Sequence, residues 1–305
     1  MGPQRSLGFF LADQGYDVWL ANPRGTRWSR KHATLNPDID IKEYWDFSFH
    51  QIGYYDLPAF IDYIVNVTNQ EKVFYIGHSQ GSTCYFVLSS TRPEYNKKVR
   101  LAVTLAPIAY FEHMNIPIVF WMAHYRDELE NFVSKYQFYE LLPYKPYRET
   151  LAKIFCNDKS PFQDVCAAVF YFTGGYSEQF DKTKMPVIIS NAPAGGSIRQ
   201  MQHYTQIFIS KKFHQYDHGE EVNLGLYGQL SPPEYDLKRI TAPLAFYYGS
   251  EDVYCREEDV NRTASEVSNL ILKRRIEGFG HMDVTWGIDV VKSLYKDLVR
   301  LMKTY

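Results

Sequence analysis

Residues 72–81 read KVFYIGHSQG and contain the strongest local signal for the fold. Its first half, KVFYI, is β-branched and aromatic and predicts a buried strand that stops at Gly77. Residues 82–90 predict a helix directly afterwards. A strand, a tight turn and a helix in this order would hold Ser79 in a strained backbone conformation, so its neighbours must lack bulk; Gly77 and Gly81 meet that need. The stretch therefore predicts a turn that raises the Ser79 hydroxyl above a sheet.

Strands and helices are predicted to alternate on both sides of this turn, which favours a mostly parallel sheet covered by helices on both faces. The predicted strands are residues 17–21, 72–76, 100–105, 243–248 and 269–276, and the predicted helices are residues 54–66, 82–90 and 286–303. Residues 108–235 break the alternation and are rich in Tyr, Phe and Pro. We expect them to form an inserted cap over a core made of residues 1–107 and 236–305.

Two later strands are each followed by a loop that carries a candidate partner for Ser79. The sequence GSED follows the first of these strands and EGFGH follows the second. A serine hydroxyl needs a base to become a nucleophile, and the base needs an acid to orient it. His281 is the predicted base. Asp252 follows its strand most closely and is the predicted acid, with Glu251 and Asp259 as alternatives.

The chain order of serine, acid and histidine is that of the α/β-hydrolase fold, which we predict here. Ser79, Asp252 and His281 would form a catalytic triad for acyl transfer. The backbone N–H of Gln80, at the start of the helix, would donate to the oxyanion that develops on the substrate. We find no sequence pattern for a metal or a cofactor and predict neither.

Composition narrows the partners of the chain. A net charge of −2 does not favour nucleic-acid binding, which is usually accompanied by an excess of basic residues. The chain has no run of 18 apolar residues, so the sequence predicts no transmembrane segment.

Cys156 and Cys166 flank a polar loop and could form a local disulfide, or they could be unrelated thiols. Asn66 and Asn261 begin glycosylation sequons. The cysteine pair and the two sequons together favour a secreted or lysosomal parent protein, although the N-terminus of this chain shows no signal-peptide pattern.

The chain resembles the acid lipases, a family that includes gastric lipase and lysosomal acid lipase. The resemblance is carried by LADQGYDVWLANPRGTRWSRKH, YWDFSFHQIGYYDLPAFIDYI, YIGHSQGS, NAPAGGSIRQMQHYTQ, YGSEDVY and GFGHMDVTWG. It implies an esterase of neutral lipids, either triacylglycerols or cholesteryl esters, that touches a lipid droplet or micelle interface transiently. Ser79, Asp252 and His281 fall where the family has its triad, and Cys156 and Cys166 fall where it has a disulfide.

One departure from the family concerns the start of the chain. Family members carry further residues before the LAD segment, including a His-Gly-Leu segment that supplies an oxyanion donor. Its strand would lie between residues 17–21 and 72–76. We therefore expect this chain to be an N-terminally incomplete form of a secreted lipase. The alternatives are a catalytically impaired lipid-binding protein on the same fold and a hydrolase of soluble esters or peptides.

Overall fold

A parallel sheet forms the centre of the computed structural model, which describes residues 1–114 and 116–305, without the side chains of residues 172 and 173. In chain order, the strands of this part of the chain are β1 (Val73–His78), β2 (Val99–Leu105), β3 (Glu140–Leu141), β4 (Gly196–Ser197), β5 (Leu244–Gly249) and β6 (Leu270–Ile276). Four of these strands are paired in the order β1-β2-β5-β6, and β3 and β4 form a separate antiparallel pair.

Helices cover both faces of the larger sheet. In chain order, the α-helices are α1 (Leu7–Asp13), α2 (Ile41–Tyr44), α3 (Phe49–Gln51), α4 (Leu57–Thr68), α5 (Gln80–Thr91), α6 (Pro117–His124), α7 (Arg126–Tyr136), α8 (Tyr147–Phe155), α9 (Gln163–Gly174), α10 (Met185–Asn191), α11 (Ile198–Ser210), α12 (Glu220–Tyr227), α13 (Glu257–Glu266), α14 (Asp283–Trp286) and α15 (Lys296–Met302). Shorter 3-10 turns cover Pro93–Lys98, Lys182–Lys184 and Leu237–Arg239, and π-helical turns cover Ile52–Asp56 and Val291–Tyr295.

The strand β2 shows why both faces need a cover. Its side chains alternate between two hydrophobic clusters, as the two-residue period of a strand requires. Leu101 and Val103 pack with α1 and α15, whereas Ala102 packs with α4, α5 and α13. All three side chains are fully buried. Continuous burial on both faces explains the uninterrupted apolar sequence of this strand.

Four of the five predicted strands and the helix after the serine turn are confirmed, each within two residues at its ends. The predicted helix at residues 54–66 is also present, but it opens with the π-helical turn Ile52–Asp56 before α4 continues to Thr68. The parallel pairing of β1, β2, β5 and β6 confirms the predicted α/β architecture.

The predicted strand at residues 17–21 is wrong. This segment forms no ladder, and Trp19 and Leu20 are 40% and 78% exposed. A strand needs a neighbour that supplies its hydrogen bonds. Here a cavity of about 1120 Å³ lies between the segment and β1, lined by Val18 on one side and by Tyr75 on the other. This is the place at which the resemblance to the acid lipases predicts a further strand.

The predicted helix at residues 286–303 is wrong in its first part. Gly287 has an extended backbone, with φ −54° and ψ 147°, and separates α14 from the turns that lead into α15. A Cβ atom on this glycine would lie 2.7 Å from the carbonyl oxygen of Asp283. The apolar spacing from Val290 onward reflects burial against the sheet, which continues through the π-helical turn to Met302.

The stretch predicted to be a cap leaves the sheet after β2 and returns before β5. These two strands are hydrogen-bonded neighbours, so the whole segment between them is an excursion from the sheet. It holds the helices α6 to α12 and the β3-β4 pair. It also holds a small cluster of its own around Ala167 and Met185, beside the disulfide that joins Cys156 and Cys166.

The partly buried side chain of His50 makes the stability of this fold depend on pH. Its ring lies between those of Tyr54 and Tyr235, and its Nδ1 is 2.8 Å from the Tyr235 hydroxyl. Burial lowers the pKa of His50 to about 4. The unfolded chain binds a proton here below about pH 6.5, whereas the folded chain does not until about pH 4. Stability is therefore lost as the pH falls through this window.

We predict that the free energy of unfolding contributed by this group falls by at most about 3 kcal/mol between pH 6.5 and pH 4. Urea unfolding at several pH values measures it. His50→Gln should weaken the pH dependence of the free energy of unfolding, because glutamine does not bind a proton in this pH range. The exposed His124 offers a matched control, and His124→Gln should keep the wild-type slope. Equal slopes for wild type and His50→Gln would contradict the prediction.

Candidate active site

The backbone at Ser79 is strained. The residue joins the end of β1 to the start of α5 with φ 53° and ψ −117°, a conformation that costs a residue with a side chain on the order of 1–3 kcal/mol. Its N–H donates to the carbonyl oxygen of Leu105, at the end of the neighbouring strand, at 2.9 Å. The strand, turn and helix predicted from the sequence are therefore present, and they present the serine at the carboxyl edge of the sheet.

The two glycines that flank the turn are not equivalent. A Cβ atom on Gly77 would lie 2.7 Å from the carbonyl carbon of Gly81, so the backbone would have to shift to make room for it. A Cβ atom on Gly81 would meet only the Tyr75 hydroxyl, at 3.8 Å, which is an ordinary contact. The expectation that both positions must lack bulk holds at Gly77 and is wrong at Gly81.

Three residues that are far apart in sequence lie in one hydrogen-bonded row. The Nε2 atom of His281 is 2.8 Å from Ser79 Oγ, and its Nδ1 is 2.8 Å from Asp252 Oδ2. His281 and Asp252 are 5% and 1% exposed, so water is largely kept from the histidine–acid pair. This spacing is that of a nucleophile, a base and an orienting acid.

Asp252 is held as an anion by its surroundings. Burial alone would raise its pKa, but the charge and hydrogen bond of His281 bring the pKa of Asp252 below its ordinary value. The backbone N–H groups of Tyr254 and Cys255 add to this effect by donating to its second oxygen, each at 2.9 Å. The carboxylate can therefore fix the orientation of the imidazole without taking its proton.

The two alternative acids lie elsewhere. Glu251 is exposed, and its carboxylate accepts a hydrogen bond from the adjacent Ser250 hydroxyl. Asp259 is buried on α13, where it accepts from the backbone N–H of His113 and lies 2.9 Å from Nδ1 of that histidine. The structure gives neither acid a hydrogen bond to His281.

His78 contacts the backbone of the histidine in this row. Its Nε2 lies 2.8 Å from the backbone carbonyl oxygen of His281. Because a carbonyl only accepts, the proton of His78 must sit on Nε2. Burial, reinforced by the charge of His281, lowers the pKa of His78 to about 4, so the ring stays neutral. His78 therefore donates to the backbone of His281 and contacts the turn that carries it.

Gln80 is the first residue of α5, so its backbone N–H has no partner inside the helix. It also lines the cavity in front of Ser79. A partial positive charge at the start of a helix favours an anion at this place. Gln80 is therefore positioned to donate to an oxyanion formed beside the serine.

The row opens into a cavity of about 870 Å³. Most of its wall comes from the excursion between β2 and β5, and apolar side chains dominate that wall. These include Ile108, Phe111, Met114, Val119, Met122, Leu141, Leu142, Phe170, Tyr171 and Phe180. The volume lies within the range of about 300–1,000 Å³ common for small-molecule sites.

Sequence reasoning missed two polar residues of this cavity, Ser177 and Asp283. The Ser177 hydroxyl donates to Asp283 Oδ2 at 2.5 Å, and the backbone N–H of Gly280 donates to the same oxygen at 2.6 Å. Asp283 stands two residues after His281 in the motif GFGHMDVTWG, and this closeness was the one available signal. No sequence signal marked Ser177, because Asp283, which it contacts, lies 106 positions away in the chain.

Several further expectations can be placed in the structure. Asn66 and Asn261 are both exposed, on α4 and α13, and their glycosylation remains a prediction. Among the described residues, no group of His, Cys, Asp or Glu could hold a metal ion, and no helix is long and apolar enough to cross a bilayer. Cys84 and Cys255 are buried thiols.

Comparison with known proteins agrees with this geometry. The family described as alpha/beta hydrolase fold matches residues 2–288. Lipase 3 of Drosophila melanogaster is 38% identical over 100% of this chain and 78% of its own length. Lysosomal acid lipase/cholesteryl ester hydrolase and gastric triacylglycerol lipase, both of Rattus norvegicus, are 37% and 34% identical, each over 98% of this chain and 75% of their own lengths.

The chain therefore belongs to the α/β-hydrolase family of enzymes and, within it, to the acid lipases. Among solved structures, DcsB in complex with its substrate analogue matches 98% of this chain and 84% of its own with a TM-score of 0.52. The two sequences are 13% identical, so this match speaks for the fold alone.

The inequality of the two glycines gives a test of the turn. We predict that Gly77→Ala destabilises the protein by about 1–3 kcal/mol or more, because the new methyl group meets backbone that cannot move freely. Gly81→Ala is the matched control and should leave stability unchanged or raise it by up to about 1 kcal/mol, since alanine favours a helix over glycine. Urea unfolding of the two variants decides; a stability loss of similar size in both would contradict the prediction.

Proposed function

We propose that this protein is a carboxylic ester hydrolase of neutral lipids that works through a serine acyl-enzyme. The observation that carries the proposal is the row from Asp252 through His281 to Ser79, which opens into a large apolar cavity. A nucleophile, a base and an oriented acid at these distances supply the parts of acyl transfer. The apolar wall suits the acyl chain of a lipid.

The proposed reaction runs in two halves. His281 takes the proton of Ser79 as the hydroxyl oxygen attacks the ester carbonyl, and the Gln80 N–H donates to the resulting oxyanion. The imidazolium then gives this proton to the leaving alcohol oxygen as the ester C–O bond breaks. In the second half His281 takes a proton from water, the hydroxide attacks the acyl-enzyme, and Ser79 regains its proton as the fatty acid leaves.

The substrate class follows from the cavity wall and from the relatives. Among the described residues, the wall offers many carbon atoms and, apart from the row itself, one carboxylate, that of Asp283. An uncharged acyl chain is therefore favoured over an ionic one. Two relatives are named for triacylglycerol and for cholesteryl ester, and we propose one or both of these as substrates.

A lipid interface would meet the protein at α6. This helix, of sequence PIVFWMAH, has no buried residue and no Asp, Glu, Lys or Arg. Val119 and Met122 line the cavity, while Ile118 and Trp121 are 43% and 48% exposed. One helix thus offers apolar side chains both to the site and to the outside. We propose that α6 rests on a lipid droplet or micelle during turnover.

The proposed setting is secreted or lysosomal. Disulfides persist in oxidising compartments, and Cys156 and Cys166 form one here. The names of the lysosomal and gastric relatives point the same way.

The reaction is tested first at the nucleophile. Ser79→Ala should lower ester hydrolysis by about 10⁴-fold or more, because no other group can form the acyl-enzyme. The melting temperature should stay near that of the wild type. A fluorophosphonate should label wild-type protein at Ser79 and leave the variant unlabelled. Binding of lipid by wild type without labelling or turnover would instead indicate the impaired lipid-binding protein.

The assignment of the acid has its own matched pair within the same experiment. Asp252→Asn should reduce kcat by about 10⁴-fold, because the amide favours the wrong imidazole tautomer. Glu251→Gln changes the neighbouring, exposed acid and should leave kcat within about twofold. Similar losses in both variants would show that the acid has been assigned wrongly.

The interface is tested by comparing substrates. Ile118→Ser should lower the rate on emulsified long-chain triacylglycerol by about 3- to 10-fold, because apolar area is lost from the contact. The rate on a soluble short-chain ester should not change. Ile39→Ser alters an isoleucine that is 76% exposed outside α6, and it should affect neither rate. An equal effect of Ile118→Ser on both substrates would refute docking through α6.

A further inference from the structure

Two hydrogen bonds between Gly280 and Asp283 close the turn that carries His281: the backbone N–H of Asp283 donates to the carbonyl oxygen of Gly280 at 3.2 Å, and the second bond uses the Asp283 carboxylate. Asp283 Oδ2 accepts the backbone N–H of Gly280 at 2.6 Å, and thus fixes the residue that precedes the histidine. The same oxygen accepts the hydroxyl of Ser177 at 2.5 Å. Ser177 follows α9 and belongs to the excursion between β2 and β5, so the contact joins two parts of the chain.

Burial makes the ionised form of this carboxylate energetically unfavourable. Asp283 is 3% exposed and Ser177 is 8% exposed. Burial raises the pKa of Asp283 above its usual value, the nearby charge of Asp252 adds to this, and the two hydrogen bonds offset part of it. Neither contact of the carboxylate reaches Ser79 or His281 directly. A buried acid with fixed hydrogen-bond partners beside the row is suited to hold the turn of His281 in position.

The histidine turn is also held at its other end. His78 donates to the carbonyl oxygen of His281, so the backbone is gripped just before and just after the imidazole-bearing residue. The imidazole must stay within hydrogen-bond distance of Ser79 and then turn its proton towards the leaving group. A displacement of about 1 Å in such a site can cost about 10²-fold in rate.

A second connection between the same two segments lies farther along. The backbone oxygen of Gln179 accepts from Ile288, and its side-chain amide exchanges hydrogen bonds with Asp289. These contacts fasten the loop after α9 to the chain beyond α14 without touching the turn at Gly280. The backbone N–H of Gln179 also donates to Ser177 Oγ at 2.9 Å, whereas its side chain contacts only Asp289 among these residues. Truncating the Gln179 side chain therefore removes contacts between the two segments and leaves the hydrogen bonds of Ser177 and Asp283 in place.

We infer that Asp283, held by Ser177, is a positioning residue that sets His281 for proton transfer with Ser79 and couples the inserted segment to the catalytic base. The inference rests on the proposed acyl-transfer role of His281. Asp283 contributes no proton of its own to the reaction. Its effect passes through the backbone of the turn, from the N–H of Gly280 to the imidazole.

The test compares four variants on a soluble short-chain ester. Asp283→Ala should lower kcat by about 10- to 100-fold with KM within about threefold, because the turn loses its closing acceptor. Asp283→Asn should retain activity within about fivefold of wild type, since the amide oxygen can still accept both hydrogen bonds. Ser177→Ala should lower kcat by several-fold. Gln179→Ala, the matched control, should leave kcat unchanged even if it lowers the melting temperature.

A double variant separates this inference from the proposed function. Asp283→Ala added to His281→Ala should cause no further loss, because Asp283 acts through the histidine. A further loss, or equal kcat values for Gln179→Ala and Ser177→Ala, would overturn the positioning role. If Asp283→Ala fails to fold, Asp283→Asn and Ser177→Ala still decide by the same comparison. Full activity in Ser79→Ala or His281→Ala would instead overturn the acyl-enzyme itself, whatever Asp283 does.

Discussion

The close approach of Gly77 to Gly81 is the constraint on which the remaining structure depends. With no Cβ at Gly77, the strand and the helix can be joined by one strained residue, and the Ser79 side chain then has nowhere to lie except above the edge of the sheet. The hydrogen bond from its N–H to Leu105 ties this strained residue to the next strand. The hydrogen bonding of the sheet thus stabilises the strained backbone, and the position of Ser79 is fixed as a result.

The same sheet edge gathers the other members of the row. β5 and β6 run parallel to β1 and end on the same side, so the loops that follow them carry Asp252 and His281 to the serine. Each is then held by further contacts. Backbone N–H groups fix the aspartate, and the histidine turn is held by His78 and Asp283. Most of these contacts use backbone atoms, which orient a side chain more firmly than a mobile neighbour could.

The segment between β2 and β5 gives the site its chemical character. The row alone would suit esters of many kinds. The wall supplied by this segment makes the cavity apolar, and α6 extends that apolar surface to the outside of the protein. The segment is also joined by Ser177 to the turn that carries His281, so it both lines the cavity and contacts the support of that turn.

The strand, turn and helix around Ser79, the other parallel strands and the order of the triad candidates could all be predicted from the amino-acid sequence. These signals are local, because apolar periodicity and glycine spacing are properties of neighbouring residues. It misjudged residues 17–21, since an apolar run becomes a strand only beside a partner, and it missed the break at Gly287. The folded chain shows which of Asp252, Glu251 and Asp259 hydrogen-bonds His281, and it brings Ser177 to Asp283. Such contacts join positions far apart in the chain, and no local pattern records which of several similar groups will meet.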